Sequence, residues 1–259
     1  MTATAPPPGA ATAGAAFFDV DETLLGFKSP ASFWGAWSAT PEGRRRNGAF
    51  EDLLARARAG APRALVNREY FRLFEGVAVT AFERVAAEWY TAVRAGPHTA
   101  VLSAHAALRG HRAAGDLIVL VSGSVGPLLA GPARDFGADL VLCGRQLAEH
   151  GILTGEVAVP MIGAAKAAAV RRVIAGRRLD AARCHAYGDH ASDLPMLECV
   201  GHPVAVGEDP ELAARAGAFG WRVLSRATGP LETRPDPVTV PPGGIPRRRA
   251  VRAPVRAGR

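Results

Sequence analysis

Short apolar runs bounded by Gly, Pro or Asp recur along the chain. They are Ala15 to Val20, Asp116 to Val121 (DLIVLV), Ala138 to Leu142 (ADLVL), Arg183 to Tyr187 (RCHAY), His202 to Val206 (HPVAV) and Gly220 to Leu224 (GWRVL). Runs of this length without polar alternation predict strands buried on both faces, as in a parallel sheet. Between them, apolar residues at helical spacing predict helices over Val125 to Phe136, Gly163 to Ala175, Leu194 to Val200 and Pro210 to Ala216. Strands that alternate with helices imply an α/β fold, a Rossmann-like doubly wound parallel sheet with helices on both faces.

Residues 26–115 interrupt that alternation. Ser29 to Trp37, Gly43 to Ala59, Arg63 to Phe74, Ala81 to Arg94 and Thr99 to Ala113 all carry helical periodicity. They predict an all-helical insertion after the first strand, with a small aromatic core from Phe33, Trp34, Trp37, Phe71, Phe74, Trp89 and Tyr90. Gly144, Gly151 and Gly155 punctuate short apolar stretches between Cys143 and Pro160, which predicts a β-hairpin extending the sheet. The expected organisation is an unstructured start (1–14), a core from 15–25 and 116–225, the insertion over 26–115, and an unstructured tail over 226–259.

Charge changes this picture little. Of the formal +7, the segment Arg226 to Arg259 carries +6, with eight Arg against Glu232 and Asp236. The folded body is close to neutral and has no basic stripe, which argues against a nucleic-acid partner. The Pro- and Arg-rich tail reads as a solvated end. Cys143, Cys184 and Cys199 form no CxxC pair, against a disulfide framework or a structural zinc site. The first sixteen residues carry no basic n-region, and no apolar run reaches eighteen residues. A cytoplasmic protein without a membrane span is expected.

In an open parallel sheet, ligands bind beyond the carboxyl ends of the strands. Three strand ends carry polar clusters: Asp19-Val20-Asp21-Glu22-Thr23, Ser122-Gly123-Ser124, and Gly188-Asp189-His190-Ala191-Ser192-Asp193. Lys166, one of only two lysines, opens the helix before the last of these. Each cluster alone could be a turn or a helix cap. Their joint placement on one sheet edge points to chemistry.

DxDxT, a Ser after a later strand, a Lys and GDxxxD occur in the order and spacing of the four motifs of the haloacid dehalogenase superfamily, and the match spans Ala15 to Leu224. With a helical insertion after the first motif, and the phrases TGE (Thr154 to Glu156) and GDHASDLPML (Gly188 to Leu197), the chain most resembles the phosphoserine-phosphatase-like branch. The resemblance implies a phosphatase acting on a small phosphorylated metabolite, with the helical insertion as a cap that selects substrate. Asp19 would be the nucleophile and Asp21 the general acid and base. Asp19, the Asp21 backbone carbonyl and Asp189 would hold Mg²⁺, with Asp193 behind them or bound through water. Ser122, the Gly123 amide, Lys166 and Ser192 would bind phosphate. Two other classes share these residues: a phosphotransferase using the same aspartyl-phosphate, and a non-catalytic binding module.

Two departures from the family pattern stand out, and the second bears on substrate. His190 and Ser192 stand where the family's last motif commonly reads Gly and Asn. Lys28 stands nine residues after the nucleophile, where phosphoserine phosphatases place a Glu that meets the substrate's ammonium group. A cation there disfavours phosphoserine and suits a second acidic group or a sugar-like portion. In the insertion, Arg63, Asn67 and Tyr70 share one helical face and could read the substrate.

Overall fold

The computed structural model describes residues 14–232. The strands β1 (Ala15–Phe18), β3 (Leu117–Val125), β4 (Leu140–Gly144), β7 (His185–Gly188), β8 (His202–Val206) and β9 (Arg222–Leu224) form one sheet, in the order β4-β3-β1-β7-β8-β9. Every neighbouring pair is parallel. β1 lies in the middle, paired to β3 on one side and β7 on the other. The chain therefore winds outward in both directions from β1, which puts the polar strand ends on the same edge as the crevice of a doubly wound fold.

Alternation along β1 separates the two faces. Phe18 packs with Leu108 of α6 (Leu102–Ala114) and with Leu129 and Phe136 of α7 (Gly126–Phe136). Phe17 packs on the other face. Its neighbours there are Val170 of α8 (Ala164–Arg177), Leu197 of α9 (Leu194–Leu197) and Leu212 of α10 (Pro210–Phe219). Burial of these side chains on both faces explains why the strands read as unbroken apolar runs.

The insertion contains α1 (Ser29–Trp37), α2 (Pro41–Arg44), α3 (Asn47–Arg58), α4 (Arg63–Arg72) and α5 (Val79–Val93). The stretch expected as one helix over Gly43 to Ala59 is two. Gly43 packs under the Trp37 carbonyl, so closely that a Cβ would lie 2.1 Å from it, and the chain turns just after it, at Arg45 and Arg46. Phe33, Trp34, Trp37, Phe74, Phe82 and Trp89 are buried together in this layer, and the ring pairs are mostly edge-on or tilted. The layer docks on α7. A Cβ at Gly131 would lie 2.0 Å from the Tyr90 ring, and the Tyr90 hydroxyl and Arg94 both bond Asp135.

Three boundaries differ from expectation. The fifth helix of the expected insertion, α6, packs on β1 and β3 through Ala104 and Leu108, so it belongs to the sheet layer and the insertion closes before Ala100. Helical periodicity reports an apolar face but not the layer that face joins. The hairpin forms as β5 (Gln146–Glu149) and β6 (Ile152–Val157), yet it is a separate two-stranded sheet rather than an extension of the main one. Its backbone bonds go to the cap, from Gly76 N to Leu153 O, Leu153 N to Val77 O and Val79 N to Gly151 O. The chain also stays ordered past residue 226. β10 (Thr228–Gly229) pairs antiparallel with β2 (Ala100–Val101), beside the two connections between core and cap. The rest of the tail, and residues 1–13 of the expected unstructured start, lie outside the described residues. No helix among the described residues is long and apolar enough to cross a membrane.

Candidate active site

Asp19 follows β1 directly, and its backbone amide donates to Tyr187 O of the adjacent strand at 2.9 Å. The chain then closes a tight turn in which the amides of Leu24 and Leu25 both donate to Val20 O, at 2.9 and 2.8 Å. Glu22 takes a left-handed backbone conformation with φ 62° to make this turn. The result aims two carboxylates two residues apart into one crevice. Asp21 Oδ1 accepts from the backbone amide of Ser29, at the N-terminus of α1, at 3.1 Å.

Lys166, on the first turn of α8, reaches under the sheet edge. Its Nζ donates to Asp19 Oδ1 at 2.5 Å and to Asp193 Oδ1 at 2.7 Å. Asp193 sits behind β7 on a short turn that His190 caps, with Nδ1 accepting from Ser192 N at 3.0 Å. Carboxylate oxygens of Asp19, Asp189 and Asp193 all lie within 4.8 Å of one another. The hydroxyl of fully buried Thr23 donates to Asp189 Oδ1 at 3.2 Å and points to Asp19 Oδ2 at 3.5 Å.

This concentration of like charge sets the electrostatics. Burial, then the charges of Asp19 and Asp193, push the Asp189 carboxyl up to about 9. Burial and Asp19 push Asp21 up to about 7, against the lowering effect of its bonds to Ser29. Burial alone would lower the Lys166 ammonium, but Asp19 and Asp193 outweigh it and hold it above its ordinary value. The site carries one ammonium for three adjacent carboxylates. Hard oxygen donors, a deficit of positive charge and close spacing together fit a divalent cation such as Mg²⁺.

Ser122 and Gly123 lie at the carboxyl end of β3. They do not cap α7, whose N-cap is Val125; Ser122 Oγ instead accepts from Ser124 N at 3.1 Å, shaping the loop from within. Asn67 of α4 donates to Gly123 O at 2.8 Å, and Tyr70 donates from its hydroxyl to Pro30 O at 2.9 Å. Both were expected to face substrate. Their donors are engaged by backbone, and Asn67 bridges the insertion to the loop at Gly123. Lys28 is exposed at the mouth of the cavity above Asp21 and ion-pairs with Glu22 at 3.2 Å. Glu22 is also bonded by Arg226 at 2.9 Å. Arg63 and His190 line the same cavity, and His190 faces Asp209 at 3.8 Å. Burial first, then Arg63, lower the His190 imidazole. The cavity walls are mainly apolar.

The structure thus brings Asp19, Lys166, Asp189 and Asp193 into one cluster, with Asp21 beside it. Sequence reasoning missed three contributors: Thr23, the Ser29 amide and Asp209. Thr23 was within sight, because its hydroxyl stands four residues after Asp19 in the first motif. The other two depend on approaches made only in three dimensions.

A family model for haloacid dehalogenase-like hydrolases matches residues 16–198, from β1 to the end of α9. The chain belongs to that family. It is 32% identical over 228 residues to a probable phosphatase of Mycobacterium tuberculosis, covering 82% of this chain and 75% of that protein. It is 30% identical over 224 residues to a phosphoserine phosphatase of the same species, covering 81% and 70%. The solved fold of an apo phosphoserine phosphatase superposes with a TM-score of 0.63 at 16% identity, over 84% of this chain and 96% of that one. This haloacid dehalogenase-like hydrolase is a phosphatase of the phosphoserine-phosphatase-like branch, with the parallel six-stranded sheet of that fold.

Proposed function

We propose that the chain hydrolyses a phosphomonoester through an aspartyl-phosphate on Asp19, with Mg²⁺ as cofactor. The observation that carries this reading is the buried cluster in which Lys166 spans Asp19 and Asp193, with Asp189 alongside. Asp19, the Asp21 backbone carbonyl and Asp189 would hold the metal, with Asp193 behind them. Bound there, it would supply positive charge to the phosphate oxygens.

The remaining chemistry falls to the chain's own side chains. An Asp19 carboxylate oxygen attacks phosphorus, and the bond from phosphorus to the substrate's alcohol oxygen breaks. Asp21 gives its proton to that leaving oxygen. Water then attacks the aspartyl-phosphate, Asp21 takes the water proton, and the bond between Asp19 and phosphorus breaks to release phosphate. A carboxyl raised to about 7 holds a proton part of the time near neutrality, as both steps need. Lys166 offsets charge on the nucleophile and the transferred group. Ser122, the Gly123 amide and Ser192 would orient phosphate oxygens.

Asp19→Asn keeps the shape and removes the nucleophile. We expect phosphate release from p-nitrophenyl phosphate, assayed with Mg²⁺, to fall by about three orders of magnitude or more. Retention of a tenth of the parent rate would rule out the covalent route.

A further inference from the structure

The cavity above Asp21 says more about the leaving alcohol than about the phosphate. It has a volume of about 490 Å³, within the range of about 300–1,000 Å³ typical of drug-sized ligands. Its walls come from Phe50, Leu53 and Leu54 of α3, Val66 of α4, and Ile162 before α8. The alcohol protonated by Asp21 must occupy this space, because Asp21 lines it. Serine would leave most of it empty.

The polar groups of the cavity are mostly engaged elsewhere. Asn67 Nδ2 and the Tyr70 hydroxyl donate to backbone carbonyls. Asn67 Oδ1 is buried without a partner and offers one acceptor. Among the described residues, Asp21 is the only carboxylate on the walls, whereas Lys28, Arg58 and Arg63 all border the cavity. A substrate ammonium would meet Arg58 and Arg63, with Lys28 already paired to Glu22 and no wall anion apart from the general acid. Apolar surface has no such conflict, and each buried methylene contributes about 0.8 kcal/mol, or roughly fourfold in affinity.

Resting on the phosphatase reading above, we propose that the substrate is a phosphomonoester of an alcohol with an extended apolar body and no ammonium group. Phe50, Leu53, Leu54, Val66 and Ile162 are its specificity-determining residues.

A series of n-alkyl phosphates from ethyl to octyl tests this on the full chain with Mg²⁺, since intrinsic reactivity varies little along the series. Expected is a rise in kcat/KM of about two- to fourfold per methylene before a plateau, with phosphoserine below butyl phosphate. Leu54→Gln, at a half-buried wall position, should flatten the rise. If p-nitrophenyl phosphate and every alkyl phosphate go unhydrolysed, the phosphatase reading itself fails. If they are hydrolysed but kcat/KM is flat or falls with chain length, or phosphoserine is preferred, this inference alone is overturned.

Discussion

Replacing Lys166 with Met tests the electrostatics of the site at nearly constant shape. The Lys166 ammonium lies 2.5 Å from Asp19 and 2.7 Å from Asp193, and the three side chains are 5%, 9% and 3% exposed. Removing one member of a buried ion pair costs about 3–5 kcal/mol, because a buried charge loses its partner. Protonation sets a ceiling. A carboxylate stranded by the substitution can take up a proton, which at pH 7 costs about 4 kcal/mol from an ordinary pKa near 3.9. We therefore expect Lys166→Met to be about 3–4 kcal/mol less stable at pH 7, measured by urea unfolding in the presence of a chelator. The sign with pH follows from linkage. A carboxyl whose folded pKa is raised destabilises the fold above its unfolded pKa, so the loss grows as pH climbs from about 4 and fades as pH falls towards 4. A gap below about 1 kcal/mol at pH 7 with an unchanged denaturant slope would refute the argument. So would a gap of equal size at pH 7 and pH 4.5.

Thr23→Val removes the hydroxyl that bridges Asp189 and Asp19 while keeping its volume. Divalent-metal affinity should drop about 10- to 100-fold by calorimetric titration, and an unchanged affinity would remove Thr23 from the site's support. At the opposite, amino-terminal edge of the sheet, His185 stacks on His202 and meets His111 edge-on. Burial, then those two neighbours, hold its imidazole down to about 4. A histidine with a depressed pKa takes up its proton later in the folded chain than in the unfolded one, so stability falls as pH drops from about 6.5 towards 4. His185→Phe should make the thermal midpoint less dependent on pH in that window, and a variant with the parent's slope would count against this account.

Much of the acidic cluster was legible because it is local. The two carboxylates of the first motif are two residues apart at a strand end, and the roles proposed for them rest on the family resemblance that this motif carries. Lys166 and the GDxxxD stretch are far away in sequence, but each sits where a strand or helix terminates, and the doubly wound topology sends such ends to one edge. The surroundings of the cap residues depend more on tertiary structure. Lys28 suggested a polar or acidic partner, yet it forms an ion pair with Glu22 at the mouth of the cavity, while side chains from α3, α4 and the segment before α8 make the walls. Asn67 and Tyr70 share a face as expected, but which atoms they meet depends on how closely the cap approaches Gly123 and Pro30.

The sequence by itself determined the strands of the parallel sheet, most of the helices and the strand ends at which the acidic residues cluster, because periodicity and strand-end composition are properties of neighbouring residues. Tertiary structure decided what periodicity leaves open. It placed α6 on the sheet, joined the hairpin to the cap and shaped the apolar cavity above Asp21. An amphipathic face fixes only that a surface must be buried. Which surface covers it, and what space remains between them, is settled by packing across the whole fold.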